Sequence, residues 1–504
     1  MWAVLNKEWV IRSSQDGLEL MAPERNISLG LSDLKLRTQL FQILRGERKI
    51  PKDISEDAKQ AIDSLSVQKI IQIVRQKPEV DGTTEIEKRL WKIRNKLVGN
   101  RGPVKEVYWL DKNLSRFSPT GSHMFMAEYL ELHGKKDKKI NWSFSISEDS
   151  RELAELKVIM EALERHAGGV IPFPELIKSS ARKIGSDAIN PQRVISYGEF
   201  QDGNPRRYPF SLDREYYWKE VIAFPQGGKK YLPAECLYYP VDESVASHPY
   251  MFANSSGVAA GFSFEEAFLR GLYETIERDA FMTVWLNRIV MPRIKKSIMP
   301  SEALSRIARI EELGYDVFLV NLTLDSIPVV LAAVASSQKR PALTIGIASD
   351  PNILSACLKA ISETEQQLYW RLRYSVKSRP IRDPKKVKEI PDHMALYWNP
   401  RYLLKAEFLW AGEEHLLNPE DLKINLEVEE LASRFNSQGV EVIAADLTPA
   451  FLKKLGIWIV RAIPLGLIPI TFGYGNMPLG MPRLKEVDRG DQWLGDHPFV
   501  HPFS

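Results

Sequence analysis

The sequence predicts an α+β (mixed α/β) fold, and three observations support this prediction. The chain has 504 residues, of which 44% are apolar and 26% are charged, and these values are typical of globular proteins with two to four domains. Short segments rich in β-branched and aromatic residues alternate with amphipathic segments over most of the chain. Near the N-terminus, strand-like segments precede helical ones. We therefore expect a large sheet-and-helix domain preceded by a small module.

Residues 1–80 are predicted to form a winged-helix-like module. Their pattern predicts short strands around the turn at Asp16-Gly17, followed by two helices. The predicted strands cover Val4–Ile11, Leu18–Met21 and Ile27–Leu31, and the predicted helices cover Leu34–Leu44 and Asp57–Gln76. Such a module binds DNA, binds an extended peptide along a sheet edge, or packs against the rest of the protein. The net charge of +3 argues against DNA.

Residues 81–101 are predicted to be a helical connector, and residues 102–504 the main domain. The connector carries a helical pattern around Glu85–Leu97. The strands predicted for the main domain are Val104–Leu110, Met124–Leu132, Val221–Ala223, Tyr231–Pro233, Val317–Thr323, Pro328–Val334, Thr344–Ala348 and Val440–Asp446. The sequence leaves their order in the sheet open.

Three stretches of the main domain repeat one arrangement, a cation followed by an acid and then by an acid or amide. They are Lys157, Glu161, Glu164, Arg165; Arg270, Glu274, Glu277, Arg278; and Lys359, Glu363, Gln366, Gln367. At about 100° per residue, the first, fifth and eighth positions share one narrow helix face. The opposite faces are apolar, so three amphipathic helices are predicted to direct acids at a common cleft.

The repeat has two interpretations. Each copy taken alone is typical of a solvated helix face held by ion pairs. Recurrence favours a functional interpretation, because carboxylates from separate segments suit hard cations such as Mg²⁺, which prefer oxygen ligands and bridge to phosphates. The sequence therefore predicts a magnesium and nucleotide cleft.

Other classes of site have no support in the motifs. The chain has no GxxxxGK phosphate loop and no strand-turn-helix GxGxxG, and Pro478 follows the nearest similar stretch, Gly473-Tyr474-Gly475-Asn476. None of the eight histidines occurs in HExxH or beside CxxC, so no zinc site is indicated. The near-neutral charge indicates neither nucleic acid nor a membrane surface as a partner.

Cysteine content and hydropathy indicate a cytoplasmic protein. Cys236 and Cys357 lie in apolar sequence, which fits reduced, buried thiols better than a disulfide framework. The N-terminus lacks a secretory signal pattern, and the apolar segment Leu455–Gly475 is interrupted by Arg461, Pro464 and Pro469. We expect this segment to form buried strands with a turn.

Several stretches together resemble the YcaO-domain family. The residues Asn254 to Gly261, continuing through Glu265-Glu266-Ala267 to Gly271 to Ala280, are similar to its central signature. Met160 to Arg165 resembles its first acidic helix and Ala356 to Gln366 its third. Asp446-Leu447-Thr448, Arg461 and Gly466 to Gly473 are similar to its C-terminal part. The resemblance covers roughly residues 102–504.

This resemblance implies ATP- and Mg²⁺-dependent activation of a peptide backbone amide. In such enzymes a nucleophile adds to the amide carbonyl, the oxyanion takes the γ-phosphate, and phosphate then leaves. The resemblance assigns metal binding to four carboxylates, nucleotide binding to a fifth, and phosphate binding to an arginine. These are Glu161, Glu164, Glu274 and Glu277; Glu266; and Arg278. Arg165, Glu363 and Gln366 are expected to be further nucleotide contacts.

The chain also departs from the family pattern near the expected nucleotide pocket. Lys157 stands where the family often has Ser, Ser256 where Asn is usual, and Phe262 where Asn often follows the glycine. The five carboxylates are present, so the site is expected to be active.

The C-terminal sequence, His497-Pro498-Phe499-Val500-His501-Pro502-Phe503-Ser504, is similar to the proline-rich terminus of azoline-forming cyclodehydratases. In that family the terminus reaches the active site, and prolines hold it extended. The resemblance therefore places Pro498, Pro502 and Ser504 in the catalytic site. Ser504 stands where the family usually has proline, and without the resemblance this segment is typical of a flexible end.

The resemblance finally implies partners and alternatives. The leading hypothesis is cyclodehydration of Cys, Ser or Thr in a ribosomal precursor peptide, with a homodimeric enzyme and a partner protein for substrate delivery. Residues 1–80 are expected to capture the leader peptide or to dock that partner. The alternatives are thioamide or amidine formation, in which sulfide or an amine is the nucleophile, and a non-catalytic peptide-binding scaffold.

Overall fold

A computed structural model describes the chain from residue 2 to residue 503, with internal gaps. The gaps are 6–9, 14–16, 23–24, 31–39, 41–42, 44–49, 51–55, 69–70, 75–84, 110–122, 134–136, 148–149, 199–206, 242–243, 247–248, 252–253, 326, 375–380, 417–427 and 488–498. The strands are β1 Trp2–Leu5, β2 Val10–Ser13, β3 Gly17–Ala22, β4 Arg25–Gly30, β5 Ile71–Val74, β6 Val104–Trp109, β7 His123–His133, β8 Asp137–Ser147, β9 Ile177–Ser180, β10 Glu215–Phe224, β11 Gly228–Pro233, β12 Val258–Gly261, β13 Arg293–Ile294, β14 Asp316–Asn321, β15 Val329–Ala335, β16 Leu343–Ser349, β17 Glu414–His415, β18 Val442–Asp446 and β19 Trp458–Pro464.

The helices alternate with these strands, which confirms the mixed α+β class. They are α1 Glu56–Val67, α2 Glu85–Leu97, α3 Arg151–Gly168, α4 Ala181–Ile184, α5 Phe264–Asn287, α6 Ser301–Glu312, α7 Ile353–Tyr374, α8 Ile390–Leu396, α9 Val428–Ser437, α10 Ala450–Lys453 and α11 Arg483–Glu486. No helix in the described ranges has the length and apolarity needed to cross a bilayer.

The N-terminal residues form two small antiparallel sheets, β2-β3-β4 and β1-β5. One predicted element is wrong in part: the helix expected over Asp57–Gln76 stops at Val67, and β5 follows it at Ile71–Val74. The segment Ile71-Gln72-Ile73-Val74 is rich in β-branched residues, which favour a strand over a helix. The predicted helix Leu34–Leu44 lies mostly outside the described residues.

The main domain is built from two larger sheets and a three-stranded one. The six-stranded sheet has the order β11-β10-β18-β19-β12, with β9 also paired to β10. The five-stranded sheet has the order β16-β15-β14-β13-β17 and is antiparallel except for the β13–β17 pair. The strands β6, β7 and β8 form the third sheet. The predicted strands of this domain are confirmed, whereas β8, β9, β12, β13 and β17 were not predicted.

Alternating side chains along the strands determine how the helices cover the two larger sheets. Val442, Ala444, Val460 and Ala462 face α5, whereas Ile443, Ala445 and Ile459 face the other way, into the core that contains α3. In the five-stranded sheet, Leu331 and Ala333 face α5, and Val330 and Ala332 face α7. Helix α5 therefore lies between the two sheets, with α3 and α7 on their outer faces.

The apolar faces predicted for the three repeated helices are confirmed. Leu156, Ile159, Met160 and Leu163 of α3 are buried, as are Phe268, Leu272, Ile276 and Ala280 of α5 and Ile353, Cys357 and Ile361 of α7. Both cysteines are buried free thiols. The segment Leu455–Gly475 forms only one strand, β19, because Pro464 and Pro469 end the pairing after it.

Candidate active site

The three acidic helices approach one another at two sheet edges. Among the described strands, β12 ends the six-stranded sheet and β16 ends the five-stranded sheet. Helix α5 lies between the sheets, so its polar face meets α3 at the β12 edge and α7 at the β16 edge. The three repeats, which are separated by about a hundred residues each, are brought together by this layering.

The edge strands supply backbone donors to the carboxylates. An edge strand leaves alternate N–H groups without a strand partner. The N–H of Ile347 in β16 donates to Glu363 of α7 over 2.8 Å, and the N–H of Ser349 donates to Glu277 of α5. At the other edge, the N–H of Ala260 in β12 donates to Glu164 of α3. One acid from each helix is therefore fixed by a sheet edge.

A cleft of about 350 Å³ lies between α5 and α7, a volume suited to a small-molecule ligand. The side chains and backbone that line it are Arg270, Tyr273, Glu274, Glu277, Ile347, Ala348, Ser349, Lys359 and Glu363. Two cations at this cleft are already paired, Arg270 with Glu266 over 2.7 Å and Lys359 with Asp350 over 2.7 Å. The cleft thus combines the carboxylates of Glu274, Glu277 and Glu363 with positive charge on two exposed side chains.

Helix α5 begins with a capping arrangement that holds Glu266. The Ser263 hydroxyl accepts from the Glu266 N–H over 3.0 Å, and the Glu266 carboxylate accepts from the Phe262 N–H over 2.9 Å. Glu266 also pairs with Arg270. Its carboxylate is therefore part of the helix cap. Its contact with nucleotide stays a prediction.

Further along α5, Glu274 and Arg278 form an ion pair of 2.7 Å that is mostly buried. The Arg278 guanidinium also lies over the Phe503 ring, 5.2 Å from its centroid. On α3, Arg165 pairs with Glu161 over 3.8 Å and donates to the Ser255 hydroxyl. Helices α3 and α5 therefore each bring an arginine to the site, four residues after an acid.

The third helix, α7, contributes Glu363 and the two amides that follow it. The Gln367 amide donates to Glu363 over 3.4 Å. Gln366 is half-buried one turn after Glu363 on the same helix. Of the two glutamines, Gln367 is the one that contacts the acid directly, and sequence reasoning did not assign it a role.

Burial and mutual repulsion raise the pKa of the clustered acids. Burial is the main cause of a pKa of about 8 at Glu164, with the neighbouring Glu274 and Glu161 adding to it against the opposing effect of Arg165. Burial likewise raises the pKa of Glu363 to about 7. It also raises the pKa of Glu161, although 37% of the Glu161 side chain is accessible to solvent. The pKa of Glu277 rises through burial and through Glu363. The acids Glu161, Glu164, Glu274, Glu277 and Glu363 outnumber Arg165 and Arg278, so the ionised cluster has a net negative charge.

This charge imbalance fits a divalent cation. The donor set consists of carboxylate oxygens, the ligands that Mg²⁺ prefers, and a cation between them would remove the repulsion that raises their pKa values. Within the described residues, no three acidic, histidine or cysteine side chains already surround one point at ligand distance. Mg²⁺ retains water ligands and needs few carboxylates, together with phosphate oxygens, so this spacing is compatible with magnesium held through a nucleotide.

A buried arginine, which the sequence analysis named without assigning it a role, lies beside these acids. Arg461 of β19 donates to the Leu237 carbonyl and to the Asn254 side chain, each over 3.0 Å, and it is only 3% exposed. Burial lowers its pKa to about 10, while the Cys236 thiol and Glu274 act in the opposite direction. Its position in an otherwise apolar strand was the available signal, since a buried charge in a strand needs a partner.

The C-terminal segment is held inside the main core. The Phe499 carbonyl accepts from the Trp285 indole N–H over 2.9 Å, the Val500 carbonyl from the Tyr397 hydroxyl over 2.7 Å, and the His501 carbonyl from the His393 ring over 2.8 Å. Pro502 is buried, and Phe503 packs beside Phe281. Because Phe503 also lies against Arg278, this segment reaches the acidic site.

Of the three catalytic residues predicted in this segment, Pro502 lies within the described residues. Pro502 is buried, and it precedes Phe503, whose ring lies against Arg278. Pro498 and Ser504 lie outside the described residues. The alternative of a flexible end does not hold for residues 499–503, since Val500, His501 and Phe503 are 0%, 0% and 3% exposed.

Comparison with known proteins identifies the family. The family model described as YcaO cyclodehydratase, ATP- and Mg²⁺-binding, matches residues 148–467. The chain belongs to the YcaO family. ATP and Mg²⁺ are therefore its cofactors, and the matched segment includes the helices α3, α5 and α7.

Individual YcaO relatives are distant in sequence. An uncharacterized protein of Methanothermobacter thermautotrophicus is 25% identical over 331 residues, which are 63% of this chain and 79% of that protein. A heterocyclase solved in complex with substrate and cofactor is similar with a TM-score of 0.67 at 19% identity, over 83% of this chain and 57% of the heterocyclase. The YcaO protein of Methanopyrus kandleri, solved with AMPPCP and Mg²⁺, is similar with a TM-score of 0.57 at 20% identity, over 76% of this chain and 92% of that one. At these identities the two structures support the fold.

Proposed function

We propose that this YcaO protein is an ATP- and Mg²⁺-dependent enzyme that activates peptide backbone amides by O-phosphorylation, most directly to cyclise Cys, Ser or Thr in a ribosomal precursor peptide in the cytoplasm. The observation that carries the proposal is the approach of carboxylates from α3, α5 and α7 at two sheet edges beside a cleft of about 350 Å³. A non-catalytic scaffold has no use for acids whose burial raises their pKa.

The acids are assigned to metal ions and the arginines to phosphate. Glu161 and Glu164 approach from α3 and Glu274 and Glu277 from α5, and these four carboxylates would hold Mg²⁺ through their oxygens. Arg278 would stabilise charge on the transferring phosphoryl group, because guanidinium donors match phosphate geometry. Arg165, Glu266, Glu363 and Gln366 are proposed nucleotide contacts. When bound, MgATP supplies the phosphoryl group that makes the amide oxygen a leaving group.

The buried C-terminal segment is proposed to complete the site. Its backbone, fixed at three successive carbonyls, would position Pro502 and the adjoining Pro498 and Ser504 against the reacting amide. Residues 499–503 approach Arg278 through Phe503, which places them next to the proposed phosphate contact. Ordering this segment before substrate arrives lowers the entropic cost of forming the site.

The remaining parts of the chain are assigned to substrate delivery. We propose residues 1–80 as a leader-peptide or partner-docking module, 81–101 as its connector, and 102–504 as the catalytic domain, working as a homodimer with a partner protein. A pull-down of a candidate leader peptide with the full-length protein would test the first role. Binding lost when the edge of the β2-β3-β4 sheet is blocked by a proline would support strand addition, whereas binding that survives would favour docking of a partner.

The decisive experiment is nucleotide binding by calorimetry, using AMPPCP with and without Mg²⁺. The expected result is Mg²⁺-dependent binding that is lost in Glu277→Gln, with Glu265→Gln as the control because Glu265 is an exposed acid at the start of the same helix. Absence of AMPPCP binding to the wild-type protein would overturn the proposal.

A peptide assay then identifies the reaction. A precursor rich in Cys, Ser and Thr, found near the gene, is incubated with the protein, MgATP and any neighbouring partner protein. Loss of one water per modified residue supports cyclodehydration, whereas replacement of oxygen by sulfur or by an amine nitrogen would indicate thioamide or amidine formation. A peptide that never stimulates ATP consumption, even with the partner added, would favour the scaffold.

A further inference from the structure

A second, smaller cavity lies behind the Glu274–Arg278 ion pair. Its volume is about 30 Å³, enough for one or two water-sized atoms. The residues that line it are Val194, Ser256, Thr275, Arg278, Arg461, Ala462, Ile463, Pro464, Leu467, Ile468 and Pro469. Arg278 lines this cavity, whereas its partner Glu274 lines the large cleft. The two residues of this ion pair therefore face different spaces.

Two buried polar groups at this cavity have no partner. The Nε of Arg461 and the Oγ of Ser256 make no hydrogen bond to any described residue, although Arg461 is 3% exposed and Ser256 5% exposed. Leaving such groups unsatisfied is unfavourable, and more so when the group is charged. Their common position points to a ligand that occupies the cavity.

The charge of the lining indicates what that ligand is. Arg461 contacts only the neutral Leu237 carbonyl and Asn254 side chain within the described residues, so it lacks an ion-pair partner there. Arg278 brings a second guanidinium to the same space. Among the described residues, no carboxylate lines the cavity, and Glu274, the partner of Arg278, lines the large cleft instead. Two guanidinium groups and a hydroxyl form a donor set for an oxyanion, and guanidinium groups bind phosphate strongly.

We propose that this cavity is an oxyanion site beside the triphosphate cleft, in which Arg461 and Ser256 receive one oxygen of a phosphate group, and that Arg278 is shared between the cavity and the cleft. This inference rests on the proposed function. Because only one or two oxygen-sized atoms fit, the rest of the group lies outside, toward Arg278. The phosphate is either orthophosphate or a phosphate carried on the substrate amide, and both present the same tetrahedral oxyanion.

The test is a calorimetric titration of the full-length protein saturated with Mg²⁺ and AMPPCP, so that the triphosphate cleft is filled. Orthophosphate and methyl phosphate are the two probes. We expect at least one of them to bind. Binding of orthophosphate alone indicates the free product, whereas methyl phosphate binding at least as tightly indicates a phosphate carried on substrate. If neither binds to protein that holds AMPPCP, the oxyanion site is wrong and the cavity holds water only.

Variants separate this site from the nucleotide cleft. Ser256→Ala removes a hydroxyl with no described partner, and Arg461→Lys keeps the charge but loses the Nε donor. We expect each to weaken probe binding several-fold or more and to change the AMPPCP affinity by a smaller factor. Thr283→Val is the matched control. Like Ser256, Thr283 carries a buried hydroxyl without a described partner, but it lies on α5 and does not line the cavity.

The outcomes distinguish the two proposals. Loss of AMPPCP binding in the wild-type protein would refute the proposed function itself. Normal AMPPCP binding with unchanged probe affinity in both Ser256→Ala and Arg461→Lys would refute only the oxyanion site. Thermal unfolding of each variant establishes that it is folded. If Arg461→Lys is not folded, Ser256→Ala alone tests the oxyanion site.

Discussion

At the scale of single residues, the site depends on backbone donors that come from outside the acidic helices. Glu363, Glu277 and Glu164 each accept from an N–H of an edge strand. These hydrogen bonds favour the charged carboxylates and oppose the effect of burial. A carboxylate fixed in this way is poised for a cation, because its remaining lone pairs point away from the strand.

The first prediction concerns Glu277. Glu277→Gln keeps the size of the side chain and its hydrogen bond with the Ser349 N–H, but it removes a charged metal ligand. We expect the Mg²⁺-dependent affinity for AMPPCP to fall by about 10- to 100-fold or more. Calorimetry measures this, with Glu265→Gln expected to bind as the wild type does. Equal affinities of Glu277→Gln and Glu265→Gln would contradict the assignment.

The second prediction concerns pH. The pKa is about 8 at Glu164 and about 7 at Glu363, so protons compete with Mg²⁺ near neutral pH. The affinity for Mg²⁺ should rise from pH 6 to pH 8.5, by up to about tenfold per pH unit for each proton displaced. Titrations in buffers of different ionisation enthalpy would reveal the proton release, and a pH-independent affinity would contradict it.

The same raised pKa values determine the stability of the metal-free protein. A carboxyl whose pKa is higher in the folded state favours folding most at a pH below its ordinary value, and this contribution is lost as the pH rises through the folded value. The melting temperature without metal should therefore decline from pH 6 to pH 9, and Mg²⁺ with AMPPCP should restore it.

At the scale of elements, the C-terminal segment behaves as part of the core. Three carbonyls of residues 499–501 are each satisfied by a side chain, and those side chains belong to α5, to α8 and to the residue after α8. Since buried carbonyls need partners, these donors select one path for the segment. The path ends at Arg278, so packing in this region is coupled to the phosphate side of the site.

The third prediction tests this coupling with Tyr397→Phe. The change removes the donor to the buried Val500 carbonyl and should weaken the docking of the segment by about 1–3 kcal/mol. We expect slower peptide-dependent ATP turnover with an unchanged affinity for AMPPCP. Tyr315→Phe, at a buried tyrosine just before β14, is the control. A loss of AMPPCP affinity in Tyr397→Phe would show that the segment supports the nucleotide cleft instead.

The fourth prediction uses the two histidines that hold the segment. Burial lowers the pKa of His393 to about 4 and, together with His393, lowers that of His501 further. Docking is therefore fully stable above the ordinary value near 6.5 and loses stability as the pH falls toward 4. Carboxypeptidase should remove the last residues faster at pH 5 than at pH 7.5, relative to a free peptide of the same sequence. Equal relative rates would contradict this.

At the scale of the whole molecule, the site exists because α5 is enclosed between two sheets. Two glycines allow the close approach that this requires. A Cβ on Gly271 of α5 would lie 2.2 Å from the Gly257 carbonyl oxygen, and Gly257 itself adopts a φ of +79° just before β12. The helix therefore packs directly on the backbone at the start of β12, near Arg461 and Ser256.

The fifth prediction is that Gly271→Ala destabilises the protein. Alanine alone would favour an exposed helix by about 1 kcal/mol, so any loss reports the clash with Gly257. We expect a loss of about 2 kcal/mol or more in urea unfolding, together with weaker Mg²⁺-dependent nucleotide binding. Gly228→Ala is the control, because the nearest described contact of its Cβ is 3.9 Å away. Equal stability of both variants would contradict the packing argument.

Sequence periodicity determined the elements that carry the chemistry. The helical spacing of Glu161, Glu164, Glu274, Glu277 and Glu363 follows from 3.6 residues per turn, and the apolar faces behind them are buried as predicted. Most strands of the main domain were predicted from β-branched content. Local errors arose where a short apolar run fits both the helical and the strand periodicity. The segment Ile71–Val74, which was predicted as helix and forms a strand, is one example.

Tertiary structure alone decided what surrounds those helices. Which strands are edges, and therefore which N–H groups are free to fix Glu164, Glu277 and Glu363, depends on strand order, which no local pattern encodes. The unpartnered donors of Arg461 and Ser256, and the burial of residues 499–503, likewise depend on contacts between segments hundreds of residues apart. Periodicity sets which face of an element is polar, whereas long-range packing sets what that face meets.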